Sequence, residues 1–327
     1  MILQQKINIT TIGGGTGTFN VLSWLKSHQD YNLAAIVSMS DSWWSTGVLR
    51  DEFGILPPGD IRRALLALSE ESEIFRKLFS YRFALDTSVN GHTVGNLLLT
   101  AMTDITGSFE NGLDEMSEIM KVRGKVIPVT LEKSDLVVEL EDGQKIFWET
   151  HIDVPEFDTD LRIENAYLEP KVTANERAIE VIENSDIIII WPWDLYTSLI
   201  PNLLVDGISE AIGHSHAKVV YFCNIMTKRW ETTHFDLKDF IEVVEKYLWK
   251  NRLDYVVVND GHISDEMVEK YKEEEGKKPV KIKETDNFFD VKYKVIERDL
   301  LNEQDYVRHN PEKIAWVIEE IVEGWVK

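Results

Sequence analysis

Apolar residues along this chain fall into short continuous runs separated by amphipathic stretches. That alternation is expected of a parallel sheet covered by helices on both faces. Ile7 to Ile12 is the first run and ends in Gly13-Gly14-Gly15-Thr16-Gly17. An amphipathic stretch follows with Phe19, Val21, Leu22 and Leu25 as its apolar face, and a second run, Leu33 to Val37, passes into Ser38-Met39-Ser40-Asp41. Strand, glycine loop, helix, strand is the opening of a doubly wound sheet.

After the turn Pro57-Pro58-Gly59, Asp60 is placed to cap a helix running through Leu68. Helical periodicity returns around 72–83, 93–105 and 109–121. The period then changes. Residues 126–129, 135–140 and 145–147 read as strands, the last two joined at Asp142-Gly143, a hairpin signal. With 161–168 they are expected to form a small antiparallel β insertion over about 126–168. The parallel pattern resumes with a helix at 174–183, the apolar strand Ile187 to Ile190, the loop Trp191 to Ser198 and a helix at 202–212. Strand 217–222 runs on to Asn224, helix 236–248 follows, and strand 254–258 ends in Asn259. Residues 269–284 are densely charged and read as solvated surface, before a closing helix from Pro311 to Val322. Without repeats or a low-complexity linker, the expectation is one α/β domain over 1–327. It has a Rossmann-like, mostly parallel sheet and a helix-and-strand extension from about 262.

Charge narrows the partners. Basic residues number 35 against 57 acidic ones, a formal net of -22. Such a field repels nucleic acid and anionic membranes. Any phosphate ligand therefore has to be held locally, by backbone amides, a few arginines or a divalent cation. The single cysteine, Cys223, lies in the apolar run Val219 to Cys223 and reads as a buried strand thiol, so no disulfide forms within the chain. No run of about 18 apolar residues is present to cross a membrane, and Met1 leads straight into a strand-like segment; a cytoplasmic location is expected.

In an open parallel sheet, ligands bind outside the carboxyl ends of the strands. Polar loops at 13–18, 38–50 and 191–198, with 224–234 as a fourth, occupy that kind of position. Gly13 to Gly17 would present consecutive amides to a phosphate at a helix start, or form a tight turn that packs helix on strand. Position 18 is Thr, so the dinucleotide fingerprint is not met. Asp41 is placed to bind a ribose or a hydrated ion such as Mg²⁺, or to cap its loop. Arg62 either clamps a phosphate or is solvated. His92 precedes a helix and either faces the cleft or serves as a structural hydrogen-bonder. His214 and His216 have no partners at metal spacing. No nucleophile elbow, Walker motif or zinc pattern occurs.

Six stretches together are specific. Gly13-Gly14-Gly15-Thr16-Gly17, Leu56-Pro57-Pro58-Gly59-Asp60-Ile61-Arg62, Gly91 to Leu98, Val122 to Pro128, Leu195 to Leu204 and Cys223-Asn224-Ile225-Met226-Thr227 resemble the YvcK-type gluconeogenesis factors. That group lies within the CofD-like superfamily of 2-phospho-L-lactate transferases. The resemblance covers about residues 6–320. It implies a Rossmann-like fold, a UDP-sugar ligand such as UDP-glucose or UDP-N-acetylglucosamine, and a regulatory role linking carbon supply to cell-wall synthesis and cell shape. The transferase branch instead moves a phospholactyl-type group from a nucleotide diphosphate donor, with magnesium. On this reading Gly13, Gly14, Gly15, Thr16 and Gly17 cradle the diphosphate with Asp194, Tyr196, Thr197 and Ser198. Asp41, Asp60, Arg62, His92, Asn96, Asn202 and Asn224 line the remaining cleft, and a homo-oligomer is left open.

The chain departs from the family in one repeated way. Family members carry glycine where Trp24, Trp43, Trp44, Trp148, Trp191, Trp193, Trp230 and Trp249 stand. Glycine supplies positive φ and close backbone approach, and tryptophan supplies neither. One replacement type at so many sites is expected if the gene uses UGA for glycine and the codon has been read as tryptophan. The alternative is a genuine chain whose indoles fill the cleft, either without a ligand or with an aromatic-lined site.

Overall fold

A computed structural model describes residues 6–39, 56–84, 91–147, 152, 161–249, 251–282, 292–302 and 307–324. The first strand, β1 (Ile7–Ile12), turns at Gly13 into helix α1 (Gly15–Leu25), and β2 (Tyr31–Val37) follows. Helices α2 (Gly59–Leu68), α3 (Glu73–Ser80), α4 (Val94–Thr106) and α5 (Phe109–Ile119) lead to β3 (Lys125–Pro128). Next come β4 (Asp135–Leu140), β5 (Lys145–Phe147), β6 (Ile163–Glu169), α6 (Glu176–Glu183) and β7 (Ile187–Ile190). The chain continues through α7 (Ile200–Leu203), α8 (Ile208–His214), β8 (Lys218–Phe222), α9 (Leu237–Tyr247) and β9 (Tyr255–Asn259). It closes with α10 (Asp265–Glu275), β10 (Lys294–Arg298) and α11 (Pro311–Val322).

Seven strands form one parallel sheet in the order β10-β9-β8-β7-β1-β2-β3. From β1 the chain winds outward to β2 and β3, then returns to β7 and winds the other way. The topological switch therefore lies between β1 and β7, where Ile12 pairs with Ile190. All four residues of β7 are buried, as a strand covered on both faces requires. The fold class expected from the sequence, a Rossmann-like α/β sheet with a small antiparallel unit, is the one observed.

Several boundaries differ from the sequence reading. Residues 125–128 belong to the parallel sheet beside β2, not to the antiparallel unit, which is the three-stranded sheet β5-β4-β6 alone. Asp60 does not cap α2; Pro58 holds the cap position, and Asp60 sits in the first turn with Arg63 Nη1 at 2.8 Å. The helix expected at 202–212 is two helices, interrupted before Gly207, whose φ is 104°. The charged stretch from 269 begins as the end of α10, a helix capped by the Ser264 side chain and ended by Gly276, and its described residues are mostly exposed or half-buried as expected. Among the described residues no helix is long and apolar enough to cross a membrane.

Candidate functional site

Outside the carboxyl ends of β7 and β8 lies a cleft of about 430 Å³. Its walls are the segment after β7 (Trp191 to Asp194), the segment after β8 (Asn224 to Lys228), Lys277 and the approach to α11 (Val307 to His309). Val21 of α1 closes one side. The two strand-end loops are tied together, because Asn224 Nδ2 donates to the Trp193 carbonyl at 2.8 Å.

A buried carboxylate anchors one of the lysines in the cleft wall. Glu231 is 2% exposed and accepts from the Tyr196 amide at 3.1 Å and from Thr197 Oγ1 at 3.2 Å. Lys228 Nζ lies 2.8 Å from Glu231 and 3.0 Å from Asp194. One lysine thus bridges two acids that belong to different strand-end loops. Burial, reinforced by the negative charge of Glu231, pushes the Asp194 carboxyl up to about 8 against the opposing pull of Lys277. The cleft presents Lys228, Lys277 and Arg308, the first of them held by Glu231.

The glycine loop stands beside this cleft. Gly13 has φ of 145°, in the region that favours glycine, and its amide donates to the Ile36 carbonyl at 3.2 Å. Gly14 is extended, and Gly15, Thr16 and Gly17 form the first turn of α1. The positive end of that helix lies at the carboxyl end of β1, a favourable place for an anion. Gly14 packs directly on the Asp60 carboxylate. Asp60 is also close enough to Asp194 to raise its pKa.

Not every residue assigned to the cleft from sequence lines it. Arg62 Nε donates to Asn96 Oδ1 at 3.1 Å, and both side chains are buried between α2 and α4. Gly95 lets that packing happen, since a Cβ there would press on Arg62 and Phe79 at 2.8 Å. Tyr196 points its hydroxyl to the Ile163 carbonyl at 3.3 Å, towards the antiparallel sheet. Asn202 is fully buried and donates to the Ser198 carbonyl at 2.8 Å, and Ser198 is itself buried. His92 is half-buried, with Nδ1 unpartnered among the described residues, and is not part of the cleft wall. Asp194 and Asn224 do line the cleft. Asp41 lies outside the described residues, and among those described no group of three His, Cys, Asp or Glu gathers as a metal would need.

Of the tryptophans, Trp191 and Trp193 stand in the cleft wall. Trp191 is 1% exposed, with ring centres 5.1 Å from Phe222 and 6.0 Å from His309. Trp230 adopts φ of 75° with Arg229 stacked on its ring at 4.4 Å. Trp24 packs on His28, and Trp249 packs so closely on Gly213 that no Cβ fits there. Trp43, Trp44 and Trp148 lie outside the described residues.

Four cleft residues, Lys228, Lys277, Arg308 and His309, and Glu231, which holds Lys228, were not singled out by sequence reasoning. For Lys228 and Glu231 one signal existed, their place in the polar loop 224–234. Lys277 sits in the charged stretch that read as surface, and Arg308 and His309 precede the closing helix without a pattern of their own.

A parallel sheet whose strand order reverses beside a glycine loop, with a cationic cleft outside the strand ends, defines a Rossmann-like α/β protein with a candidate ligand cleft. The family profile of 2-phospho-L-lactate transferase CofD matches residues 9–301, and the chain belongs to that family. The gluconeogenesis factor of Bacillus subtilis is 38% identical, over 98% of this chain and 99% of its own. That of Listeria monocytogenes is 35% identical, over 95% and 94%. A crystal structure of a Bacillus halodurans protein superposes with a TM-score of 0.90 at 38% identity, covering 97% of this chain and 100% of the other.

Proposed function

We propose that this chain binds a phosphate-bearing sugar nucleotide, a UDP-sugar, in the cleft between β7 and β8. Its binding would regulate carbon flow toward cell-wall synthesis and cell shape. One observation carries the reading: Lys228, Lys277 and Arg308 converge on one cleft in a chain of net charge -22. Cations held together against so acidic a background suit a diphosphate, and the start of α1 adds backbone amides nearby. The regulatory part draws support from the relatives named gluconeogenesis factor. Calorimetry against UDP-glucose, UDP-N-acetylglucosamine and UMP tests it. The diphosphates should bind more tightly than UMP, and Lys277→Ala or Arg308→Ala should weaken them. Equal, negligible heats for all three ligands would remove the proposal.

Membership of the CofD family favours a second reading, a Mg²⁺-dependent transferase acting on a nucleotide diphosphate donor. The described residues offer no metal cluster, so its ion would depend on Asp41 and on ligand oxygens. Release of nucleotide from such a donor, abolished by EDTA and by Asp41→Asn, would establish it. Unchanged donor after long incubation with Mg²⁺ would exclude it.

A further inference from the structure

Four buried side-chain polar atoms have no hydrogen-bond partner among the described residues: His92 Nδ1, Asn202 Oδ1, Tyr221 Oη and His309 Nε2. Of these residues, His309 alone lines the cleft. An orphaned buried acceptor costs about 1–3 kcal/mol, so its retention in a ligand cleft calls for a purpose.

The ring is held from behind. Its backbone bridges to Leu301, and the next residue, Asn310, caps α11 with its side chain while its amide donates to the Leu300 carbonyl at 2.7 Å. The imidazole also makes a hydrogen bond with the Cys223 backbone that favours a proton on the ring, so the ring donates to that carbonyl. With Nε2 unpartnered, the donor is Nδ1–H, and Nε2 carries the lone pair. Burial holds the imidazole down to about 4, which keeps it neutral at physiological pH. The cleft wall therefore combines three cations with one fixed neutral acceptor, and those two features suit different parts of a ligand. Trp191 stands beside the imidazole, and Nε2 has no partner among the described residues, so a ligand donor in the cleft that His309 lines can supply one.

We infer that His309 Nε2 accepts a hydrogen bond from a donor on the nucleoside, an imide N–H of the base or a hydroxyl of the ribose. The residue thereby sets which nucleotide the cleft takes. The cations would hold the diphosphate and contribute affinity without discrimination, while His309 reads the other end. This rests on the nucleotide reading above, and the ligand set separates the two.

The test is titration of wild type, His309→Phe and His309→Gln with UDP, N3-methyl-UDP, 2′-deoxy-UDP and inorganic pyrophosphate. His309→Phe keeps a ring against Trp191 and should weaken UDP about tenfold, the loss of one hydrogen bond, while leaving pyrophosphate unchanged. His309→Gln returns an acceptor and should recover most of the loss. On the wild type one analogue, methylated or deoxygenated, should lose the same factor, identifying the donor as base or sugar; on His309→Phe that analogue and UDP should bind alike. If a phenylalanine variant fails to fold, the analogues on the wild type and the glutamine variant decide. Equal UDP affinity in wild type and His309→Phe, or equal affinity of the wild type for UDP and both analogues, overturns the inference alone. No binding of UDP or pyrophosphate to the wild type overturns the nucleotide reading and this inference with it.

Discussion

Gly14 rests against the carboxylate of Asp60, so close that a Cβ on residue 14 would collide with Oδ2. The contact joins the end of β1 to the first turn of α2, and the charge of Asp60 in turn bears on Asp194. The glycine loop is therefore held by packing as well as by turn geometry. Gly14→Ala should lower stability by about 1–3 kcal/mol, the usual cost of overpacking. Asp60→Ala in the same chain should restore part of it. Chemical denaturation of the two single variants and the double variant measures the coupling; strictly additive losses would show that the residues do not press on each other.

Glu231 serves three partners from a buried position, the Tyr196 amide, Thr197 Oγ1 and Lys228 Nζ. Removing it leaves the buried Tyr196 amide without its acceptor and Lys228 with Asp194 alone. Glu231→Ala is expected to cost about 3 kcal/mol, more than the pair is worth in isolation. Glu231→Gln, which keeps an acceptor but no charge, should lose less. Urea midpoints that are the same for wild type and Glu231→Ala would contradict the network.

Asp194 yields a pH prediction. Its folded pKa of about 8 stands above the model-peptide value of 3.8, so between those values the folded state holds a proton that the unfolded chain releases. Stability from this group is greatest below pH 4 and declines as pH rises towards 8. Asp194→Asn, which cannot ionise, should be more stable than wild type at pH 8 and lose that advantage by pH 5. Melting temperatures across that range give the answer, and a variant disadvantage that grows with pH would refute the burial argument.

Much of this was legible in the sequence, for reasons that particular residues make clear. Ile7 to Gly17 announces strand, turn and helix because each step is local, and Ile187 to Ile190 announces a strand buried on both faces. Asp194 and Asn224 were placed in the cleft because ligands gather at strand ends. Lys125 to Pro128 misled because a four-residue apolar strand carries no mark of its partner's direction. Its place beside β2 depends on Gly124, whose φ of 128° brings the backbone against Leu33, 91 residues earlier in the chain. Glu231 and His309 were missed for a related reason. Their partners, Tyr196 and Cys223, lie far away in sequence, and neither spacing nor periodicity records the meeting.

The tryptophans give a fourth prediction. Trp230 holds φ of 75°, a conformation that costs a non-glycine residue on the order of 1–2 kcal/mol. Trp191 and Trp193 occupy the cleft wall, where a diphosphate needs close backbone approach. We propose that these positions, with 24, 43, 44, 148 and 249, are glycines encoded by UGA. Glycine at 43, 44, 191, 193 and 230 should then raise both the melting temperature and UDP-sugar affinity. If the indoles are native, Trp191→Gly empties a fully buried site and should cost at least about 3–5 kcal/mol. The codons decide independently: UGG at these positions would sink the proposal.

The central claim is that the cleft between β7 and β8 holds a nucleotide diphosphate through Lys228, Lys277 and Arg308. Isothermal titration of UDP-N-acetylglucosamine at 50 mM and 300 mM salt, into wild type and Arg308→Ala, tests it most directly. The account predicts saturable binding at one site, weaker at high salt because the attraction is screened, and weaker again in the variant. Binding that is indifferent to salt and to Arg308, or no binding at all, would contradict it.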